Sequence, residues 1–207
     1  MFLTDGQSNY DKILDDLLAS LRQTGASANA AFLGGVVRGD KAYVPLFGRE
    51  WCVEDNGFYK DGKRLDTIGS ILMARYLLQG GAAQIAPQMN GSWLPYRDLK
   101  DGAQFASYIK AHLEEPIART FSGGPDVLRR RLEALGARPY GAEIRADLVL
   151  VVEPLPKVPI LCLFWDADDE FPASFQFLFD AAAQTYLDLE CLAVELQYIF
   201  LNITEEA

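Results

Sequence analysis

Four carboxylates lie within five positions of the sequence, at Asp166, Asp168, Asp169 and Glu170, directly after a strongly apolar run. Two carboxylates about 4 Å apart repel each other by about 4 kcal/mol at an effective dielectric constant near 20. Solvent, a cation, backbone N–H groups or basic side chains must therefore neutralise this charge. Hard cations such as Mg²⁺ and Ca²⁺ prefer oxygen ligands of this kind, and Asp180 follows as a further candidate ligand.

The acidic stretch 166–172 has three interpretations. Its acids cap a turn, or they bind a ligand or a Mg²⁺ or Ca²⁺ ion, or they take part in catalysis. The candidate metal ligands are Asp166, Asp168, Asp169 and Asp180. The spacing is not that of an EF-hand loop, because the central glycine and the distal glutamate are missing.

A second group of candidates lies in residues 82–97, which have no clean hydrophobic period. Trp93, Tyr96 and Arg97 are candidates to line a pocket there, since loops on rigid scaffolds often carry binding groups. Trp93, Arg97, Asp169 and Glu170 form the predicted ligand-binding set. The alternative interpretation is that the aromatic residues of this segment cover the core.

The sequence lacks the residue patterns of several common catalytic and cofactor sites. His112 is the sole histidine, and no serine or cysteine nucleophile motif accompanies it, so a triad mechanism is not indicated. No P-loop pattern occurs. Cys52, Cys162 and Cys191 are far apart, which predicts buried thiols in a reducing cytoplasm and no disulfide, zinc site or iron–sulfur cluster. The cofactor, if there is one, is open.

The net charge of -10 argues against a nucleic-acid partner, which requires a cationic surface. No run approaches the roughly 20 apolar residues of a membrane span, and the N-terminus does not resemble a signal peptide. The sequence therefore predicts a cytoplasmic protein that binds a small molecule or a protein partner. Its oligomeric state is open.

The apolar periodicity predicts alternating helical and β segments. Helices are expected over 8–22 (capped by Asp5 or Ser8), 67–79 (capped by Asp66 or Thr67 and ended by Gly80-Gly81), from Asp98 or Asp101 to about Glu115, over 125–136 and over 188–202. Strands are expected over 42–47, 50–54, 58–59, 148–152, 158–165 and 175–179, while 24–29 and 82–97 are expected to be irregular. For the last strand the alternative is a long helix from Pro172 onwards. Pro116 should kink or end the third of these helices near Glu115.

These elements predict an α+β fold with a mainly antiparallel sheet and helices packed on it. A C-terminal three-strand core should be closed by the long last helix. We expect one domain over 1–207. It contains an N-terminal helix and loop (1–30), a small β-meander (31–66), a helical segment (67–136), and the β-core with its closing helix (141–207).

Several short motifs resemble an uncharacterised bacterial and archaeal family, domain of unknown function 3786. The resemblance covers roughly 31–201, and its most specific part is the Asp-Glu-Phe-Pro block followed by Leu-Phe-Asp. The matching motifs are Tyr76-Leu77-Leu78, Gly91-Ser92-Trp93, Arg97-Asp98-Leu99, Asp101-Gly102, the turn from Leu155-Pro156 to Pro159, the strand ending at Trp165, Asp169-Glu170-Phe171-Pro172 and Leu178-Phe179-Asp180.

The resemblance implies an anaerobic cytoplasmic setting and no established reaction. Some relatives carry fused iron–sulfur segments, whereas this chain lacks clustered cysteines, so any redox role would require a partner. Three functions follow as hypotheses. The first is an accessory or binding protein with its site at the acidic turn, the second a metal-assisted hydrolase or transferase using the same carboxylates, and the third a dimerising structural subunit.

Overall fold

The computed structural model describes residues 7–25, 27–82, 91–141 and 144–205. They divide into two compact units. The first contains the described residues up to 82 together with Thr185–Leu187, and the second contains those from 91 to 184 and from 188 to 205. The predicted α+β class is confirmed, because each unit combines helices with an antiparallel sheet. The count of one domain stays a prediction.

The first unit is a β-meander with three helices among its described residues. Its five strands pair antiparallel in sequence order, which confirms the predicted meander and adds a short strand at each edge. Within residues 7–82 the elements are α1 (Gln7–Thr24), α2 (Ser27–Phe32), β1 (Val36–Arg38), β2 (Lys41–Leu46), β3 (Arg49–Glu54), β4 (Gly57–Lys60), β5 (Lys63–Arg64) and α3 (Thr67–Ala82).

The hydrophobic pattern determines which faces of this unit are buried. Alternate residues of β2 point to one side, and Val44 is fully buried there together with Phe58 of β4. Tyr76 of α3 is fully buried, and its hydroxyl donates to the backbone oxygen of Leu33 at 2.7 Å. The polar tip of this large side chain is therefore satisfied inside the core.

Two local predictions in this unit are wrong. Helix α3 continues through Gly80 and Gly81 instead of ending there. The two positions are glycine because neighbouring side chains leave no space for a Cβ atom. A Cβ on Gly80 would lie 2.9 Å from Leu33 Cδ2, and one on Gly81 would lie 2.0 Å from Asn29 Nδ2. Part of the expected loop 24–29 belongs to α2.

The residues that cap the N-termini of the helices agree with the prediction for some helices and not for others. Asp66 caps α3 as predicted, since its Oδ1 accepts the Gly69 N–H at 2.9 Å. For α1, Ser8 lies within the helix, and Asp5 lies outside the described residues. Asp188 caps the last helix by accepting the Cys191 N–H at 2.9 Å.

The second unit is built on a sheet whose strand order is β6-β10-β9-β8-β7, with neighbouring strands antiparallel. The elements described after residue 90 are β6 (Trp93–Pro95), a 3₁₀ turn (Tyr96–Asp98), α4 (Ala103–Ile109), a π-helical segment (Lys110–Glu114), α5 (Glu115–Phe121), α6 (Pro125–Ala134), β7 (Arg138–Pro139), β8 (Leu148–Leu155), β9 (Val158–Trp165), β10 (Ser174–Asp180), α7 (Ala183–Tyr186) and α8 (Leu189–Thr204).

The three predicted strands of this sheet and the long last helix are confirmed as β8, β9, β10 and α8. Two short edge strands extend the three-strand core, and one of them, β6, lies in the segment expected to be irregular. Three residues are too few to show a period of two, so the pattern of the sequence hides this strand. One face of the sheet is fully apolar, with Phe164, Phe175 and Phe177 at most 6% exposed.

Helix α4, the π segment and α5 form one continuous helix over 103–121. Of the two alternatives for Pro116, an end near Glu115 is therefore wrong, and the helix instead has an irregular segment directly before the proline. A proline at position 116 lacks an N–H and would clash with the carbonyl four residues earlier in a regular α-helix. The π turn directly before Pro116 widens the backbone, with the Glu115 N–H bonded to the oxygen of Lys110 five residues earlier.

No helix in the described part of the chain combines the length and the apolar character that crossing a membrane requires.

Candidate functional site

An open half-edge of β10 defines the candidate site. On one side β10 pairs with β9 along Ser174–Phe179, but on the other side it pairs with β6 only from Leu178 to Asp180. Within the described residues, the first half of β10 therefore has no strand on that side. Exposed edges of this kind need another partner for their backbone groups.

Glu114 supplies that partner from the π segment. Its Oε1 accepts the Phe177 N–H at 2.9 Å, so a side chain caps the edge where β6 ends. Burial raises the pKa of the Glu114 carboxyl, while the Phe177 N–H and the positive charges of Lys110 and Arg97 act in the opposite direction. Burial is the larger effect, so this carboxyl holds a proton more readily than an exposed glutamate.

A cleft of about 410 Å³ lies between this half-edge, the 3₁₀ turn and the α4–π helix. Its charged lining residues are Arg97, Lys110 and Glu114, and it also carries hydroxyl, amide and aromatic groups. The remaining lining residues are Pro95, Tyr96, Ala106, Ser107, Ile109, Trp165, Ser174, Phe175 and Gln176. Cavities of 300–1,000 Å³ with a mostly apolar wall and a few directed polar groups are typical ligand sites.

Two aromatic walls of the cleft are held rigidly. The Tyr96 hydroxyl donates to the backbone oxygen of Leu189 at 2.8 Å, and burial, with the charges of Asp188 and Glu190, raises the pKa of Tyr96 to about 12. This phenol therefore stays protonated at neutral pH. The indole Nε1 of Trp165 donates to the backbone oxygen of Arg145 at 2.6 Å. Fixed aromatic walls lower the entropic cost of binding.

The acidic turn follows Trp165 and lies at the same end of the sheet. Asp166 Oδ1 accepts the N–H groups of Gly123 at 2.7 Å and Ala167 at 2.8 Å. Asp168 Oδ1 accepts those of Glu170 at 2.8 Å and Phe171 at 2.7 Å. These two backbone bonds hold the pKa of Asp168 below its usual value. The arrangement is that of acids capping a turn, one of the three interpretations of this stretch.

The other predicted site residues are dispersed. Asp169 and Glu170 are exposed in the turn. Asp180 is buried at the far end of β10, about 20 Å from the turn at 3.3 Å per residue, and accepts the N–H groups of Gly91 at 3.0 Å and Ala182 at 2.9 Å. The structure therefore does not bring Asp180 to the other three predicted metal ligands.

Across the described residues, no group of three or more histidine, cysteine, aspartate or glutamate side chains is arranged to hold a metal ion. Binding of Mg²⁺ or Ca²⁺ at the acidic turn stays a prediction.

Trp93 and Arg97 have different surroundings. Arg97 lines the cleft and lies 3.7 Å from Asp98 in an exposed ion pair. Trp93 instead packs on the apolar cluster formed by Val151, Leu161 and Leu163. Its indole donates to the Tyr140 hydroxyl at 2.9 Å, which matches the interpretation of a core-covering aromatic residue.

Sequence reasoning missed Glu114 and Lys110. Both lie in an ordinary amphipathic pattern, and only the unusual position of Pro116 late in a helix pointed to an irregularity here. π-helical turns occur frequently at functional sites, so a proline inside a helical pattern was the available signal.

The first unit has a separate open cavity of about 790 Å³ over the solvent face of its meander. Tyr43, Cys52 and Tyr59 form its centre, since they are neighbours across β2, β3 and β4. Ion pairs between Arg38 and Glu50 at 2.9 Å and between Lys41 and Glu54 at 3.6 Å lie along this face.

The fold and the cleft define an α+β protein with two antiparallel sheets, one of which carries a ligand-sized cleft beside its open edge. Residues 26–200 match the model of a family described as domain of unknown function (DUF3786), and the chain belongs to that family. The predicted membership of this family is thereby confirmed. No curated protein and no solved structure matches the chain.

Proposed function

We propose that this member of the DUF3786 family is a cytoplasmic accessory protein that binds a small organic molecule without transforming it. The ligand site is the cleft between β10 and the α4–π helix, next to the acidic turn. Anaerobic metabolism is the setting that the family resemblance implies.

The observation that carries the proposal is the combination of size and lining in this cleft. A volume of about 410 Å³ suits a molecule of drug-like or metabolite size. Arg97, Lys110 and Glu114 offer charged and hydrogen-bonding groups, while Trp165 and Phe175 offer apolar surface. These groups lie on regular elements or on fixed aromatic rings, which favours preorganised binding.

A fragment screen by thermal unfolding tests the proposal. A ligand that binds only the folded chain raises Tm as its concentration exceeds Kd. Ser107 lines the cleft and is exposed, so Ser107→Trp should fill the cleft and abolish the shift. Glu133→Trp places the same side chain on the exposed side of α6 and should leave the shift unchanged.

Two results would contradict the proposal. One is the absence of any stabilising compound in a broad fragment library. The other is an equal Tm shift in wild type, Ser107→Trp and Glu133→Trp, because the ligand would then bind elsewhere.

A further inference from the structure

The charge of the cleft differs from that of the whole protein. The chain carries a net charge of -10, whereas the charged residues lining the cleft are two cations and one carboxyl group. Arg97 and Lys110 are exposed, and Glu114 is half-buried. Asp98, in its exposed ion pair with Arg97 at 3.7 Å, offsets part of this charge, but Lys110 has no such pair among the described salt bridges. The positive charge of the lining therefore favours an anionic ligand in the cleft.

The walls of the cleft complement a specific kind of anion. Ile109 and Phe175 are at most 6% exposed, and together with the ring of Trp165 they form the apolar part of the cleft lining. An inorganic anion would leave this surface without a partner. A molecule with a charged head and an apolar body would contact both parts of the cleft.

We propose that the ligand is an organic acid that binds with uptake of one proton at Glu114. Its carboxylate pairs with Arg97 and Lys110, and its apolar body lies against Trp165 and Phe175. This inference rests on the proposed function.

The charged and polar groups around Glu114 explain why it takes up a proton when the ligand binds. On its own helix these are Lys110 and Glu115, on the 3₁₀ turn Arg97, and on β10 the Phe177 N–H. An entering carboxylate adds a like charge near Glu114, which disfavours the ionised form of this half-buried group. Solvent supplies one proton, Glu114 becomes a neutral acid, and its carbonyl oxygen still accepts the Phe177 N–H.

This coupling fixes the sign of the pH dependence. Burial already raises the pKa of Glu114 in the free protein, and the bound carboxylate raises it further. Affinity should therefore fall as pH rises through the pKa of the free protein, by up to about tenfold per pH unit, and level off above the pKa of the complex. Neutral ligands should show no such dependence.

Titration calorimetry with matched probes tests the inference. The probes are benzoate, phenylacetate and 3-phenylpropionate, each paired with its primary amide, between pH 5.5 and 8.5. Buffers of different ionisation enthalpy report the number of protons taken up. We expect the acids to bind at least about tenfold more tightly than the amides at pH 5.5, since charge-assisted hydrogen bonds are roughly twice as strong as neutral ones.

Two variants distinguish the role of Glu114 from that of Lys110, and a third is the control. Glu114→Gln keeps an oxygen that can accept the Phe177 N–H but cannot ionise, so it should retain acid binding and lose both proton uptake and the pH dependence. Lys110→Gln should weaken acid binding about tenfold or more and leave amide binding unchanged. Asp126→Asn removes one negative charge from the exposed start of α6 and serves as the control with wild-type affinities.

The possible failures are distinguishable. Amides that bind as tightly as the acids would overturn the ligand class and leave the proposed function intact. Acids that bind without proton uptake, or with the same pH dependence in Glu114→Gln, would overturn the role of Glu114. Neutral and charged fragments that all fail to bind would overturn the proposed function itself.

Discussion

Replacing Glu195 by methionine is expected to stabilise the second unit by about 1–3 kcal/mol, the cost of a buried polar group without a partner. Glu195 is fully buried on α8. Neither carboxyl oxygen has a hydrogen-bond partner in the described structure. Methionine has a similar length and no polar group that needs a partner, and its flexible chain adapts to the existing space.

The effect should depend on pH. Burial raises the pKa of Glu195 well above the ordinary value, so the folded chain keeps a proton that the unfolded chain releases above about pH 4.3. The folded state then binds more protons than the unfolded state, and the free energy of unfolding falls with rising pH by up to about 1.4 kcal/mol per unit. This loss ends at the folded-state pKa.

Urea unfolding from pH 5 to pH 8 measures both effects. A Trp51→Phe background leaves Trp93 and Trp165, which lie in the second unit, as the fluorescent reporters. Wild type should lose stability with rising pH, and Glu195→Met should show a higher and flatter profile. Glu195→Gln is the matched control, because its buried amide keeps the polar cost and removes the ionisation.

Two outcomes would refute this reasoning. Glu195→Met that destabilises the unit at every pH would show that the carboxyl has a stabilising partner. A wild-type pH profile that Glu195→Gln leaves unchanged would show that another group causes the slope.

Three further predictions follow from backbone contacts. Asp180→Ala removes the acceptor of two backbone N–H groups and should lower the free energy of unfolding, measured in urea, by about 2–3 kcal/mol. The control Asp169→Ala, in the exposed turn, should change it by at most about 0.5 kcal/mol. Equal effects of the two substitutions would contradict the structural role of the Asp180 hydrogen bonds. Gly102→Ala should cost about 3 kcal/mol, because its Cβ would lie 2.0 Å from the Tyr96 oxygen, and an unchanged Tm would show that the backbone yields easily. The NMR titration midpoint of Asp168 should lie below about pH 3.9, since its pKa is lowered. The stabilisation of the turn by this carboxylate is present above that pH and is lost as pH falls through the folded-state pKa. A midpoint at or above about 3.9 would contradict the two backbone hydrogen bonds.

The main elements were predictable because their patterns are long. The alternation of phenylalanine and polar or smaller residues in β10 and the stripe of α8 each extend over at least seven residues, enough to distinguish a period of two from one of 3.6. Asn56-Gly57 and Asp61-Gly62 predicted turns of the meander, and Asp61 and both glycines have positive φ.

The errors share one physical cause: tertiary contacts decide what a short signal means. Gly80 and Gly81 resemble a helix stop, but their missing Cβ atoms make room for Leu33 and Asn29. Pro116 resembles a helix end, but a π turn accommodates it.

The candidate site was only partly predictable for the same reason. Arg97 and the neighbourhood of the acidic turn came from sequence, whereas Glu114 is recognisable only through its contact with the edge of β10. The metal-assisted enzyme and the dimerising subunit stay predictions.

The most direct test of the cleft as a binding site is an NMR titration of protein labelled with ¹⁵N-phenylalanine. The chain has 12 phenylalanines, so the spectrum is sparse enough to assign by substitution. Addition of phenylacetate at pH 5.5 should shift the amides of Phe175 and Phe177, which lie at the open edge of β10, and leave that of Phe58 in the first unit unchanged. Shifts confined to Phe58, or to no phenylalanine with either phenylacetate or its primary amide, would contradict the assignment of the cleft as the ligand site.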